Sequence, residues 1–147
     1  MGRKLRAFSL LATVLLAAPV PAEQSVTVGE HTIHYNALPT DMLNPAVAKS
    51  YGIKRSHSRA LLNVSVLKKT SGLTGQPVRA KVRAAATNLN AQLRSIDMRE
   101  ITEQGAIYYI GEVPVSDGET LKFKLEVTPE GMNEPAEISF DQEFFTE

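Results

Sequence analysis

The sequence contains no cysteine and no tryptophan. Without thiols there is no disulfide framework. Blue-copper, iron–sulfur, c-type haem and cysteine-nucleophile chemistry are excluded with it. A membrane-spanning run is missing too: the apolar stretch Ala7 to Val20 is 14 residues, short of the about 20 that cross a bilayer. Neither charge sign dominates, with 16 basic and 16 acidic residues. No Gly-x-Ser-x-Gly elbow, Ser-x-x-Lys, His-Glu-x-x-His, phosphate-binding glycine loop or calcium loop occurs. These absences predict a protein that is not an enzyme and carries no cofactor.

What is present begins with a leader. Arg3, Lys4 and Arg6 precede the apolar run, and Val20-Pro21-Ala22 closes it with small residues before Glu23. This three-part layout predicts a secretory signal peptide over residues 1–22, cleaved after Ala22. No cysteine follows the run, which excludes a lipid anchor, and the n-region has no twin arginine, so general export is expected. The expected location is periplasmic and soluble, with no membrane span after cleavage. Removing the leader's three basic residues leaves 13 basic against 16 acidic ones, a net −3. A mildly acidic domain has no global electrostatic reason to bind nucleic acid.

Residues 23–147 suit one domain, which must hold itself together by packing and hydrogen bonding. Thr32 to Leu38 alternates and predicts a strand, which Val26 and Val28 extend or pair with across Gly29-Glu30. Asn44 is a helix N-cap, Pro45 suits the first helical position and Gly52 the left-handed stop. Between them lies one short helix, a lid on the sheet structure. Ala60 to Leu67 is apolar on both faces and reads as a central strand. Val78 to Ala86 alternates cleanly, with Arg79, Lys81 and Arg83 outward. Gln92 to Ile101 breaks phase near Ser95, which predicts a bulge. Ala106 to Val113, Thr120 to Thr128 and Ala136 to Phe145 complete the set, with turns at Glu103-Gln104-Gly105 and Ser116 to Glu119. About seven strands and one short helix predict an all-β antiparallel immunoglobulin-like sandwich, with a small antiparallel barrel as the alternative.

Several stretches carry a family resemblance. They are His34-Tyr35-Asn36-Ala37, Ala48 to Ile53, Arg55-Ser56, Leu61 to Leu67, Met98-Arg99-Glu100 and Ile107 to Gly111. Together they resemble a family of small exported proteins of Gram-negative bacteria described as a domain of unknown function. The resemblance spans nearly all of the chain after the leader. It implies a periplasmic, sandwich-like protein and no particular activity.

Two constellations are candidate sites. Arg79, Lys81 and Arg83 form a cationic stripe with a repeat of about 7 Å, and Lys122 and Lys124 form a shorter one. Their two readings are a solvated face and a docking surface for an acidic envelope protein partner or anionic headgroups. His34, Tyr35 and Asn36, with Asn63 and Ser65, would line a small polar pocket for a ligand or metal, or satisfy backbone groups at a sandwich corner. His31 and His34 are three apart, which on a strand turns them to opposite faces. His57 falls in a polar loop.

Overall fold

The structure, a computed structural model, describes residues 23–72 and 74–146. The leader expected over 1–22 lies outside the described residues. In chain order the elements are β1 (Gln24–Val28), β2 (His31–Pro39), a 3-10 turn (Thr40–Met42), α1 (Pro45–Ser50), β3 (Arg59–Lys68), β4 (Gln76–Pro77), β5 (Ala80–Asn88), β6 (Leu93–Ile96), β7 (Arg99–Glu103), β8 (Ala106–Pro114), β9 (Glu119–Pro129) and β10 (Ala136–Phe144).

They form two antiparallel sheets. One runs β1-β2-β3-β8-β7, with β4 paired to the far end of β3; the other runs β10-β9-β5-β6. The sheets pack as a sandwich and do not close into a barrel. The two-residue alternation of β5 and β9 sets the packing: Val82, Ala84 and Ala86 face inward with Leu121, Phe123, Leu125 and Val127. Ile33, Leu62, Val64 and Val66 meet them from the other sheet. Phe123 is fully buried, stacked on Phe140 at 4.9 Å and edge-on to Phe144.

β3 is central, and its second apolar face is covered as expected. Leu61 joins Ala48 of α1, Ile53 and Ile110 in a second, smaller core outside the first sheet. Local chemistry fixes α1: the Asn44 side chain accepts from the Ala46 N–H at 2.8 Å, Pro45 opens the helix, and Gly52 takes φ +66° where a side chain would be strained.

The expected bulge near Ser95 is something larger. Residues 92–101 do not form one strand: β6 belongs to the second sheet and β7 to the first, and the chain crosses between them at Asp97-Met98. Gly111 on β8 makes the crossing possible. A Cβ there would lie 2.5 Å from the Ile96 Cγ2 and 2.9 Å from the Asp97 carbonyl oxygen.

Candidate functional site

The β5 cations stand on the outside of the second sheet. Register with β9 puts Lys81 opposite Thr128 and Arg83 opposite Glu126. Lys122 and Lys124, on β9, stand opposite Asp141 and Ser139 of β10. Among the described residues no carboxylate approaches Lys81, Arg83, Lys122 or Lys124 within ion-pair distance; the ion pairs fall elsewhere. β10 nevertheless contributes Glu137, Asp141 and Glu143 to this face. Acids flank both stripes: Asp141 stands opposite Lys122, Glu126 opposite Arg83, and Glu100 pairs with Arg79.

Two concavities adjoin there. One, of about 740 Å³, lies at the end of the sandwich, walled by the 130–133 loop and lined by Arg79, Lys81, Glu100, Tyr109, Pro129 and Met132, among others. The second, of about 540 Å³, is lined by Lys81, Val82, Arg83, Glu126, Thr128 and Pro135. Lys81 and Thr128 line both. Together they form a groove along β5, with all three stripe cations and the carboxylates Glu100, Glu126 and Glu130 on its walls.

Polar groups from three strands meet in the first concavity. The Tyr109 hydroxyl accepts the Ala80 backbone N–H at 2.9 Å and donates to Glu100 Oε1 at 3.0 Å. The Arg79 Nε donates to the same carboxylate oxygen at 3.2 Å. Tyr109 is buried, and that burial pushes its phenol above the usual range; the Ala80 N–H lowers it, and accepting Glu100 adds to the rise. Tyr109 is therefore a neutral donor at any physiological pH. Sequence reading missed Glu100 and Tyr109. The available signal was an inward-phase tyrosine on a strand, whose hydroxyl requires a polar partner when buried.

The polar cluster around His34 is divided by the sheet. His34 pairs with Ser65, and Asn36 with Asn63, all four on the outer face of the first sheet. Tyr35 lies on the opposite face and packs on Phe140 at 4.9 Å. The His34 Nδ1 stands 3.5 Å from a Glu23 carboxylate oxygen. Asn63 Oδ1 is buried without a partner. His31 is buried on the inner side and His57 is exposed in its loop, so the three histidines do not converge. No group of three or more His, Cys, Asp or Glu suited to a metal ion occurs among the described residues.

A family profile described as domain of unknown function (DUF4426) matches residues 25–147. The chain belongs to the DUF4426 family. A solved member from Pseudomonas aeruginosa PAO1 is 33% identical, covers 84% of this chain and 94% of its own, and superposes with a TM-score of 0.72. The fold extends further. FetP of uropathogenic Escherichia coli strain F11, recombinantly expressed in the periplasm of Escherichia coli BL21(DE3), is 10% identical, covers 86% of this chain and 95% of its own, and has a TM-score of 0.60. A copper-bound variant of FetP gives 0.59. At that identity the likeness is one of fold. No curated protein sequence matches the chain.

Proposed function

We propose that this DUF4426 protein is an exported, non-enzymatic interaction module that holds an acidic segment of an envelope protein along the β5 groove. The observation that carries this reading is the placement of Arg79, Lys81 and Arg83 on the walls of two adjoining concavities. A solvated charged face needs no groove. Lys81 and Arg83 have no carboxylate within ion-pair distance among the described residues, although Glu126 stands opposite Arg83 on β9. Electrostatic complementarity of this kind sets encounter rate and register more than raw affinity.

Export follows from the leader expected over residues 1–22. FetP, a protein of the same fold, was recombinantly expressed in the periplasm. No helix among the described residues is long and apolar enough to cross a membrane. At 10% identity the likeness to copper-bound FetP is one of fold, and the copper belongs to FetP alone.

The test uses the full chain expressed with its leader and recovered from the periplasm. Mass spectrometry should find Glu23 as the first residue. Hexaglutamate should then bind, more weakly as salt rises, and the Lys81→Glu/Arg83→Glu variant should not bind it. Equal binding by that variant would remove the groove from the reading.

A further inference from the structure

We infer that the uncovered half of the first sheet's outer face is a second binding site, a trough centred on His34 that takes a neutral sugar chain. It lies on the other sheet from the β5 cations, and it stands whether or not their groove holds an acidic segment.

α1 covers only part of this face. Beneath it the outward residues are apolar: Leu38, Leu61 and Ile110. Beyond it they turn polar, with Thr32 and His34 on β2, Ser65 on β3, and Ser25 and Thr27 on β1. A polar face left to solvent needs no walls, and this one has them. β3 pairs with β8 through Val64 and with β4 from Leu67, so its ladder on that side breaks at Ser65 and Val66. The segment that leads into β4 folds back on β3 closely enough to require glycine. A Cβ on Gly75 would lie 2.9 Å from the Leu67 Cβ and 3.1 Å from the Lys68 carbonyl oxygen. The Lys69 N–H donates to the Glu30 carbonyl at 2.7 Å, which pins the start of this arm to the turn between β1 and β2.

Two concavities result. One, of about 280 Å³, opens at the break in the ladder and is lined by Glu23, His34, Ser65, Pro77, Ile107 and Tyr108, among others. The other, of about 260 Å³, runs beside the arm and includes Thr32, Lys69 and Gly75. His34 and Leu67 line both, so the two make one trough. Together they reach the size of small-molecule sites.

The lining selects the occupant. Neither charge sign collects in it: Glu23 stands 3.5 Å from the His34 Nδ1, and the second concavity holds one acid, Glu30, and one base, Lys69. That balance suits an uncharged ligand. The Ser65 and Thr32 hydroxyls donate and accept, a neutral imidazole does each through one ring nitrogen, and the Glu23 carboxylate accepts. Sugar hydroxyls, each donor and acceptor at once, match that set. Leu67, Pro77, Ile107 and the Tyr108 ring supply apolar surface for the C–H faces of the sugar. Tyr108 also packs on the small core beneath α1, which fixes its ring. Two cups of similar size that share His34 fit two successive sugar units.

The experiment titrates the periplasmic protein with maltotriose and with chitotriose, neutral trisaccharides that differ in their acetamido groups, and follows backbone amide NMR shifts. Millimolar binding of at least one should move the amides of Thr32, His34, Ser65 and Tyr108, and should weaken about fivefold in Ser65→Ala and in His34→Ala. No shift with either sugar at tens of millimolar would overturn the inference, and so would shifts scattered over both sheets. Unweakened binding in both variants would overturn it too. If a variant melts early, the wild-type shift map decides alone. Hexaglutamate should bind His34→Ala as it binds the wild type. Sugar shifts are read without hexaglutamate and hexaglutamate binding without sugar, so the trough and the groove stand or fall separately.

Discussion

Arg94 and Glu119 clasp each other through two parallel hydrogen bonds, Nη1 to Oε1 at 2.7 Å and Nη2 to Oε2 at 3.0 Å. The pair joins β6 to the start of β9, and Arg94 also donates to the Pro114 carbonyl at 3.0 Å. Both side chains are largely covered, 23% and 15% exposed. The Arg94 hydrogen bond holds the Glu119 carboxyl below its ordinary value of 4.5. A depressed carboxylate adds stability above its unfolded value and loses it as pH falls through the folded one. The wild type should therefore lose stability as pH drops below 4.5, and Glu119→Gln should show a flatter acid limb. Arg94→Ala leaves the carboxylate half-orphaned and should cost ~2 kcal/mol in urea unfolding at neutral pH. A loss within a few tenths would show the clasp to be ornamental to stability.

Gly111 is the second constraint on how the chain changes sheet. Any Cβ at this position meets Ile96 and Met98 side chains at 2.5 and 2.6 Å, and the Asp97 carbonyl at 2.9 Å. The side chains can shift, but the carbonyl belongs to the crossing backbone. Gly111→Ala should destabilise by about 1–3 kcal/mol. Amide exchange should show the loss centred on β6 and β7. An unchanged melting temperature would mean that the crossing has slack which the packing does not reveal.

Much of the fold was legible because its strands obey a period of two. The alternation over Val78 to Ala86 and Thr120 to Thr128 marked the inward residues of β5 and β9, and Asn44, Pro45 and Gly52 bracketed α1. The crossing at Asp97-Met98 was not legible. A one-residue slip of phase reads the same for a bulge as for a change of sheet, and the glycine that admits the crossing lies on β8. The site was less legible still. His34, Tyr35 and Asn36 are adjacent in the sequence, yet a strand sends the middle one to the core. Arg79, Glu100 and Tyr109 are scattered in the sequence and meet only because β5, β7 and β8 converge at one end of the sandwich. The stripe of β5 cations was visible as periodicity, but the groove beside it depends on the 129–135 loop.

Tyr51, the residue that ends α1, hydrogen-bonds the Glu103 carboxylate of β7, and its backbone carbonyl accepts from Arg99. The hydrogen bond to Glu103 is the first cause that raises the Tyr51 phenol from 10.0 to about 12; burial and the nearby charge add to it. A raised folded pKa gives stability that is complete below the unfolded value and is lost as pH climbs through the folded one. The docking of α1 should therefore weaken between pH 10 and about 12. Ultraviolet phenolate titration should show two tyrosines ionising late in the wild type, Tyr51 and Tyr109, and only one in Tyr51→Phe. If no late step disappears, the Glu103 contact does not hold α1 in solution.

Asn63 presents an unusual balance. It sits on the covered face of β3 between Asn36 and Ile110, next to the small core beneath α1, and its Oδ1 is buried without a hydrogen-bond partner. An orphaned buried acceptor costs roughly 1–3 kcal/mol. Leucine has nearly the same volume and no acceptor, and Leu61 and Ile110 offer it apolar neighbours. Asn63→Leu should therefore raise stability by about 1 kcal/mol, read as a higher urea midpoint at unchanged slope. A fall of similar size would mean that a bridging water satisfies Oδ1 and that Asn63 supports the sheet. A rise would mean that the chain keeps a polar residue on this face at a cost to its own stability.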